Sequence, residues 1–135
     1  MGRKVIQAMG GDARGKTVAV LGLTFKPNTD DMRDSPAISV IRALQDAGAT
    51  IRASDPEGVE QARLVLEDVA YFTDPYEAVA GADALAIVTE WNAYRALDLA
   101  RVRTLLKTPV FVDLRNIYTP AEVTDAGLAY HGVGR

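Results

Sequence analysis

Residues 17–23 read Thr-Val-Ala-Val-Leu-Gly-Leu, a nearly continuous apolar run, rich in valine, without the polar alternation of a half-exposed strand. A strand of this kind is buried on both faces, as in parallel sheets covered by helices. The same signature recurs at residues 84–89 (ALAIVT) and 109–114 (PVFVDL), with weaker versions at 50–54, 69–73 and 128–133. Helical patterns lie between these runs. Over residues 35–47, Ile38, Ile41, Ala43, Leu44 and Ala47 recur at helical spacing, Ser35-Pro36 supplies a cap and a first-turn proline, and Gly48 supplies a stop. Shorter helices are expected over 59–67, 75–80, 98–107 and 120–125, each entered through Asp, Thr or Pro. Alternating buried strands and helices imply βαβ units, so the expected fold class is α/β: a Rossmann-like open, mainly parallel sheet with helices on both faces.

The size agrees with that reading. At 135 residues the chain sits at the modal length of one domain and hides about two-thirds of its unfolded surface, enough for a core without disulfide or metal help. It has no cysteine, which excludes a thiol nucleophile, a thiolate metal site and a redox pair. A net charge of −3 argues against a surface that coats nucleic acid or an anionic membrane, but leaves room for a small anionic ligand in a local basic pocket. No apolar run approaches the roughly 20 residues of a membrane span, and the first eleven residues lack the apolar centre of a signal peptide, so the cytoplasm is the expected compartment. Residues 3–9 look like a helix end, and the glycine-rich joint at 10–15 follows it. The expected organisation is therefore 1–15 as the end of a preceding helix and its linker and 16–135 as one complete domain, cut from something longer.

In open α/β sheets ligands bind beyond the carboxyl ends of the strands, which directs attention to the segment after the first strand. Residues 22–36 (GLTFKPNTDDMRDSP) place Lys26 and Arg33 seven positions apart among Asp30, Asp31 and Asp34, directly before a helix start. Lysine offers a mobile point charge to phosphate or sugar oxygens, arginine a planar fork, and a helix start free backbone donors. The same residues also suit a solvated loop held by its own ion pairs. Gly22 stands alone, so this is no Gly-x-Gly-x-x-Gly dinucleotide fingerprint.

The stretch LGLTFKPNTDDMRDSPA resembles the signature that opens the C-terminal domain of the UDP-glucose/GDP-mannose dehydrogenase family. Residues 76–83 (YEAVAGAD), Thr89-Glu90-Trp91 and the tail VFVDLRNIYTPAEVTDAGLAYHGVGR agree with it in order and spacing, so the resemblance spans residues 16–135. The Thr-Glu-Trp segment, the following Ala96-Leu97-Asp98 and the tail favour the UDP-glucose branch. One departure stands out: the family's usual glycine between the aspartate and arginine of the tail is Leu114, which leaves the local backbone shape open.

That resemblance implies a UDP-sugar-binding domain. Members oxidise the sugar C6 alcohol to a carboxylate, UDP-glucose to UDP-glucuronate in the favoured branch, by two NAD-dependent hydride transfers, with a cysteine holding the aldehyde level. Carried over position by position, it makes Phe25 and Lys26 contacts to the UDP-sugar, Arg115 a substrate contact from a later strand end, and Arg33 a contact to NAD across a domain interface. It leaves the chain without a catalytic residue or a metal site, because the fingerprint domain, the central helical region and the cysteine are absent, so a fragment inactive by itself is expected. Its partners are then the UDP-sugar and the N-terminal and central domains of the parent, with no nucleic acid and no membrane. A GDP-mannose or UDP-N-acetylhexosamine dehydrogenase domain and a stand-alone nucleotide-binding module remain as alternatives.

Other residues have plainer readings. Asp30 and Asp31 shape their loop. His131, the only imidazole, has no acid or metal-spaced partner and reads as a packed or surface residue. Asp55 ends the second strand where dinucleotide folds place a ribose-binding acid, but without the fingerprint it reads as a turn former before Pro56. Trp91, Tyr94 and Tyr118 either line a ligand cleft or pack beneath a helix.

Overall fold

The computed structural model describes residues 2–24 and 35–133. The strands are β1 (Thr17–Leu21), β2 (Thr50–Ser54), β3 (Val69–Phe72), β4 (Ala84–Ile87), β5 (Val110–Asp113) and β6 (Ala129–Gly132). They form one sheet in the order β3-β2-β1-β4-β5-β6, and every pairing is parallel. The strand order reverses between β1 and β4, which sets a crevice at their carboxyl ends.

Strand composition follows from burial on two sides. Val18 and Val20 of β1 join a core with Ile51, Ala53, Ala84, Ala86 and Val112. Their neighbours Ala19 and Leu21 join a second core with Leu85, Ile87 and Phe111 on the other face. Because successive side chains alternate between two dry layers, the run has no polar phase. The first layer is closed by α1 (Gly2–Ala8), α2 (Pro36–Asp46) and α3 (Val59–Val65), through Val5, Ile41, Leu44 and Ala62. The second is closed by α4 (Pro75–Val79), α5 (Asn92–Arg95), α6 (Leu99–Leu105) and α7 (Pro120–Asp125), through Ala78, Tyr94, Val102 and Val123.

The sequence signals act where they were read at α2, α4, α6 and α7, whereas α3 starts from Gly58 with no side-chain cap. The Ser35 hydroxyl accepts from the Ala37 N–H at 3.2 Å, and Gly48 closes α2 at φ +92°. Asp74, Asp98 and Thr119 cap α4, α6 and α7, and Thr119 completes a capping box with Glu122. The short α5 is an addition to the expected elements. Ahead of β1, Val5, Met9 and Ala13 are buried in the first core, and Lys16 Nζ donates to the Met9 carbonyl at 2.7 Å. Among the described residues no helix is long and apolar enough to cross a membrane.

Candidate functional site

The chain leaves β1 at Gly22, whose φ of +103° belongs to the left-handed side of backbone space. A Cβ there would stand 2.5 Å from the Thr89 nitrogen and Cβ, so only glycine lets the end of β1 lie against the segment after β4. Thr89 is 1% exposed, and its hydroxyl donates to the Thr24 carbonyl at 2.8 Å. On the other side stands Asp55, 4% exposed. Its Oδ2 accepts from the N–H groups of Leu23 (2.7 Å) and Thr24 (3.3 Å), while Oδ1 accepts from Glu57 (2.8 Å) and Gly58 (2.6 Å). Asp55 is the turn former the sequence implies, and it also clamps the exit of β1. The far side of the segment is pinned too, because the Ser35 hydroxyl donates to the Leu23 carbonyl at 2.7 Å. Both ends of the stretch that carries the basic motif are thus fastened at the crevice. Phe25, Lys26 and Arg33 themselves, with Asp30, Asp31 and Asp34, lie outside the described residues.

Arg115 lies beyond β5, and its backbone rests on a buried acid. Asp113 is fully buried and accepts from the N–H groups of Arg115 (3.2 Å) and Tyr118 (2.9 Å) and from the Tyr130 hydroxyl (3.1 Å). Leu114, at the family's glycine position, does not have a positive φ; it is 3% exposed and packs in the first core. The left-handed residue of this turn is Asn116, at φ +52°, where asparagine is tolerated. The leucine therefore fits the turn without strain. The Arg115 guanidinium reaches Glu90 of the Thr-Glu-Trp segment, with Nη2 2.9 Å from Oε1, and Arg95 of α5 takes the other oxygen at 3.2 Å.

The aromatic residues of this end resolve toward packing. Tyr94 is buried and donates to the Ser54 carbonyl at 2.9 Å; burial, reinforced by the Asp55 charge, raises its hydroxyl pKa far above the ordinary value. The Tyr118 hydroxyl donates to the Tyr94 carbonyl and accepts from the Leu97 N–H at 3.1 Å, with a pKa pushed up to about 12, chiefly by burial. Trp91 is 7% exposed within the second core, and its indole N–H has no hydrogen-bond partner among the described residues. His131 is half-buried on the edge strand β6, its pKa lowered first by burial and then by Lys4. Beside Asp55, a cleft of about 340 Å³ opens between Glu57, Glu60 and Arg63 on one side and Tyr71, Phe72 and Thr73 on the other. The sequence reading missed Thr89, Glu90 and Asp113 as individual residues, because each acts on a partner distant in the chain.

The family described as "UDP-glucose/GDP-mannose dehydrogenase family, UDP binding domain" is matched over residues 19–120. A UDP-glucose 6-dehydrogenase of Rhizobium meliloti (strain 1021) is 62% identical over all 135 residues, which cover 31% of that protein. The UDP-glucose 6-dehydrogenase TuaD of Bacillus subtilis (strain 168) is 44% identical over 133 residues, 98% of this chain and 29% of that protein. Among solved structures, a UDP-glucose dehydrogenase from Pyrobaculum islandicum superposes with a TM-score of 0.80 at 36% identity, covering 98% of this chain and 29% of that one. The chain thus spans about 30% of the length of these relatives. With the matched family covering most of the fold and both faces of its crevice, the chain belongs to the UDP-glucose/GDP-mannose dehydrogenase family and corresponds to its UDP-binding domain.

Proposed function

We propose that the chain is the nucleotide-sugar-binding part of an NAD-dependent dehydrogenase that oxidises UDP-glucose to UDP-glucuronate. The observation that supports this most is the 62% identity, running the full length of the chain, to a UDP-glucose 6-dehydrogenase. Phe25, Lys26 and Arg115 serve the UDP-sugar and Arg33 faces NAD across a domain interface. A UDP-sugar brings two phosphate charges, and in this reading the cations Lys26 and Arg115 offset them locally on a chain whose overall charge is −3. Arg115 supplies the planar fork, and Asp113 fixes the turn from which it extends.

Two features support placing the dinucleotide site mainly outside this chain. The turn after β1 lacks the three-glycine fingerprint, and both oxygens of Asp55, at the position where such folds present an acid to ribose, are taken by backbone N–H groups. This reading assigns NAD, the covalent chemistry and the dimer contacts to N-terminal and central domains of the parent enzyme. The chain has no cysteine and is inactive alone in this reading. Residues 16–135 form the binding domain, and residues 1–15 are a helix end and joint docked on it. The cytoplasm is the compartment such ligands call for.

The test compares the nucleotides one by one. Millimolar UDP or UDP-glucuronate is expected to raise the thermal midpoint of the chain, GDP to leave it unchanged, and UDP-glucose with NAD to yield no reduced nicotinamide. An equal shift by GDP refutes the UDP-glucose branch, and turnover refutes the placement of the chemistry elsewhere.

A further inference from the structure

Glu90 lies between two arginines on the carboxyl edge of the sheet, with one carboxylate oxygen on each. Its side chain is 36% exposed, that of Arg115 31% and that of Arg95 46%, so neither pair is dry. Ion pairs of this exposure contribute little to stability, because solvent screens them and two long side chains must be ordered. Their consequence lies in geometry. Both backbones are held independently of the pair: Glu90 follows Thr89, which is hydrogen-bonded beneath the surface to Thr24, and Arg115 follows the buried Asp113. With both backbones fixed, the Glu90–Arg115 contact decides mainly where the guanidinium rests.

We propose that Glu90 is a positioning residue that holds the Arg115 guanidinium oriented for an anionic ligand at the carboxyl edge of β4 and β5, with Arg95 steadying Glu90 from the other side. This rests on the reading of Arg115 as a UDP-sugar contact. Among the described residues only Glu90 engages the Arg115 guanidinium, through Nη2, which leaves the other donor edge of the fork for phosphate or sugar oxygens. The trio of Arg95, Glu90 and Arg115 carries one net positive charge, so Glu90 orients the cation without cancelling the attraction. Ordering the fork in advance removes rotamer entropy that the ligand would otherwise have to overcome.

The experiment compares the full chain with Glu90→Gln, Glu90→Asp, Arg95→Gln and Arg115→Ala by UDP titration at low ionic strength, thermal unfolding and NMR of the arginine side chains. Glu90→Gln is expected to weaken UDP binding three- to tenfold with an unchanged thermal midpoint, and the Arg115 guanidinium resonances, resolved in the parent chain, are expected to average. Partial recovery in Glu90→Asp and a smaller loss in Arg95→Gln complete the expected pattern. Tighter UDP binding by Glu90→Gln overturns the proposal, because Glu90 would then compete with the ligand for Arg115. It is also overturned if Glu90→Gln binds UDP like the parent chain while Arg115→Ala does not. UDP binding that is equal in the parent chain and Arg115→Ala refutes the role of Arg115 itself, and with it this proposal.

Discussion

Replacing Asp55 by asparagine tests the clamp at the base of the ligand edge with a change of little more than one charge. The carboxylate accepts from four backbone N–H groups, two on each oxygen, at distances from 2.6 to 3.3 Å, and it is 4% exposed. Asparagine keeps one acceptor oxygen and turns an amide N–H₂ toward the other pair of donors. Either Leu23 and Thr24 or Glu57 and Gly58 then face a donor instead of an acceptor. A hydrogen bond to a charged group contributes about 1.5–3 kcal/mol, and a buried donor left unpaired costs about 1–3 kcal/mol. Two lost partners therefore imply about 3–5 kcal/mol, a large part of the roughly 5–15 kcal/mol that holds a domain folded. For a domain of this size that corresponds to a fall of roughly 10–20 °C in thermal midpoint. Unfolding monitored by circular dichroism measures the total, and amide hydrogen exchange finds the place. Faster exchange is expected at Leu23 and Thr24 or at Glu57 and Gly58, with β5 and β6 unaffected. A midpoint within about 2 °C of the parent chain, or unaltered exchange at all four amides, would refute the reasoning.

Gly22→Ala forces a Cβ to within 2.5 Å of Thr89 at a φ of +103°, so it should cost more than the roughly 1–2 kcal/mol of a left-handed residue in open space; an unchanged urea midpoint would remove the close-approach argument. His131 has a pKa lowered from 6.5 by burial and Lys4, so on acidification the unfolded chain takes up its proton first. Stability is expected to fall as the pH drops through 6.5 toward the folded-state value and to level off below it. Urea midpoints across this range should show a shallower dependence in His131→Gln, and parallel curves would sink the assignment.

The layers were legible in the sequence because burial on both faces leaves a mark on every strand residue. The ends of the strands were not. Leu23, Val88, Thr89 and Leu114 were read as strand residues and lie just beyond the ladders, yet they are 0%, 2%, 1% and 3% exposed. Apolar pattern follows burial, whereas a strand ends where the backbone turns away from its partner, as Gly22 makes β1 do. The four residues of α5 make too short a segment for any period to appear. Capping residues were legible because a cap acts on its own next turn. Asp55 shows the limit of local reading: its bonds to Glu57 and Gly58 are a turn signal, but those to Leu23 and Thr24 span 32 and 31 positions and exist only once β1 and β2 pair.

The same distinction bears on how an acidic chain can offer an anion a favourable edge. Among the described residues, Asp55, Glu90 and Asp113 stand at or just beyond the ends of β2, β4 and β5, and each carboxylate is partnered. Asp55 and Asp113 are buried, their oxygens taken by N–H groups and a tyrosine hydroxyl, which offset much of each charge at its origin. Glu90, the exposed one, is shared between Arg95 and Arg115. Net charge is a sum over the whole surface, whereas a ligand meets the field of a few groups within about a Debye length. An overall charge of −3 is therefore no obstacle to a diphosphate beside β4 and β5, where Glu90 and Asp113 are committed to arginine, backbone and tyrosine partners and, among the described residues, only Nη2 of the Arg115 guanidinium is engaged.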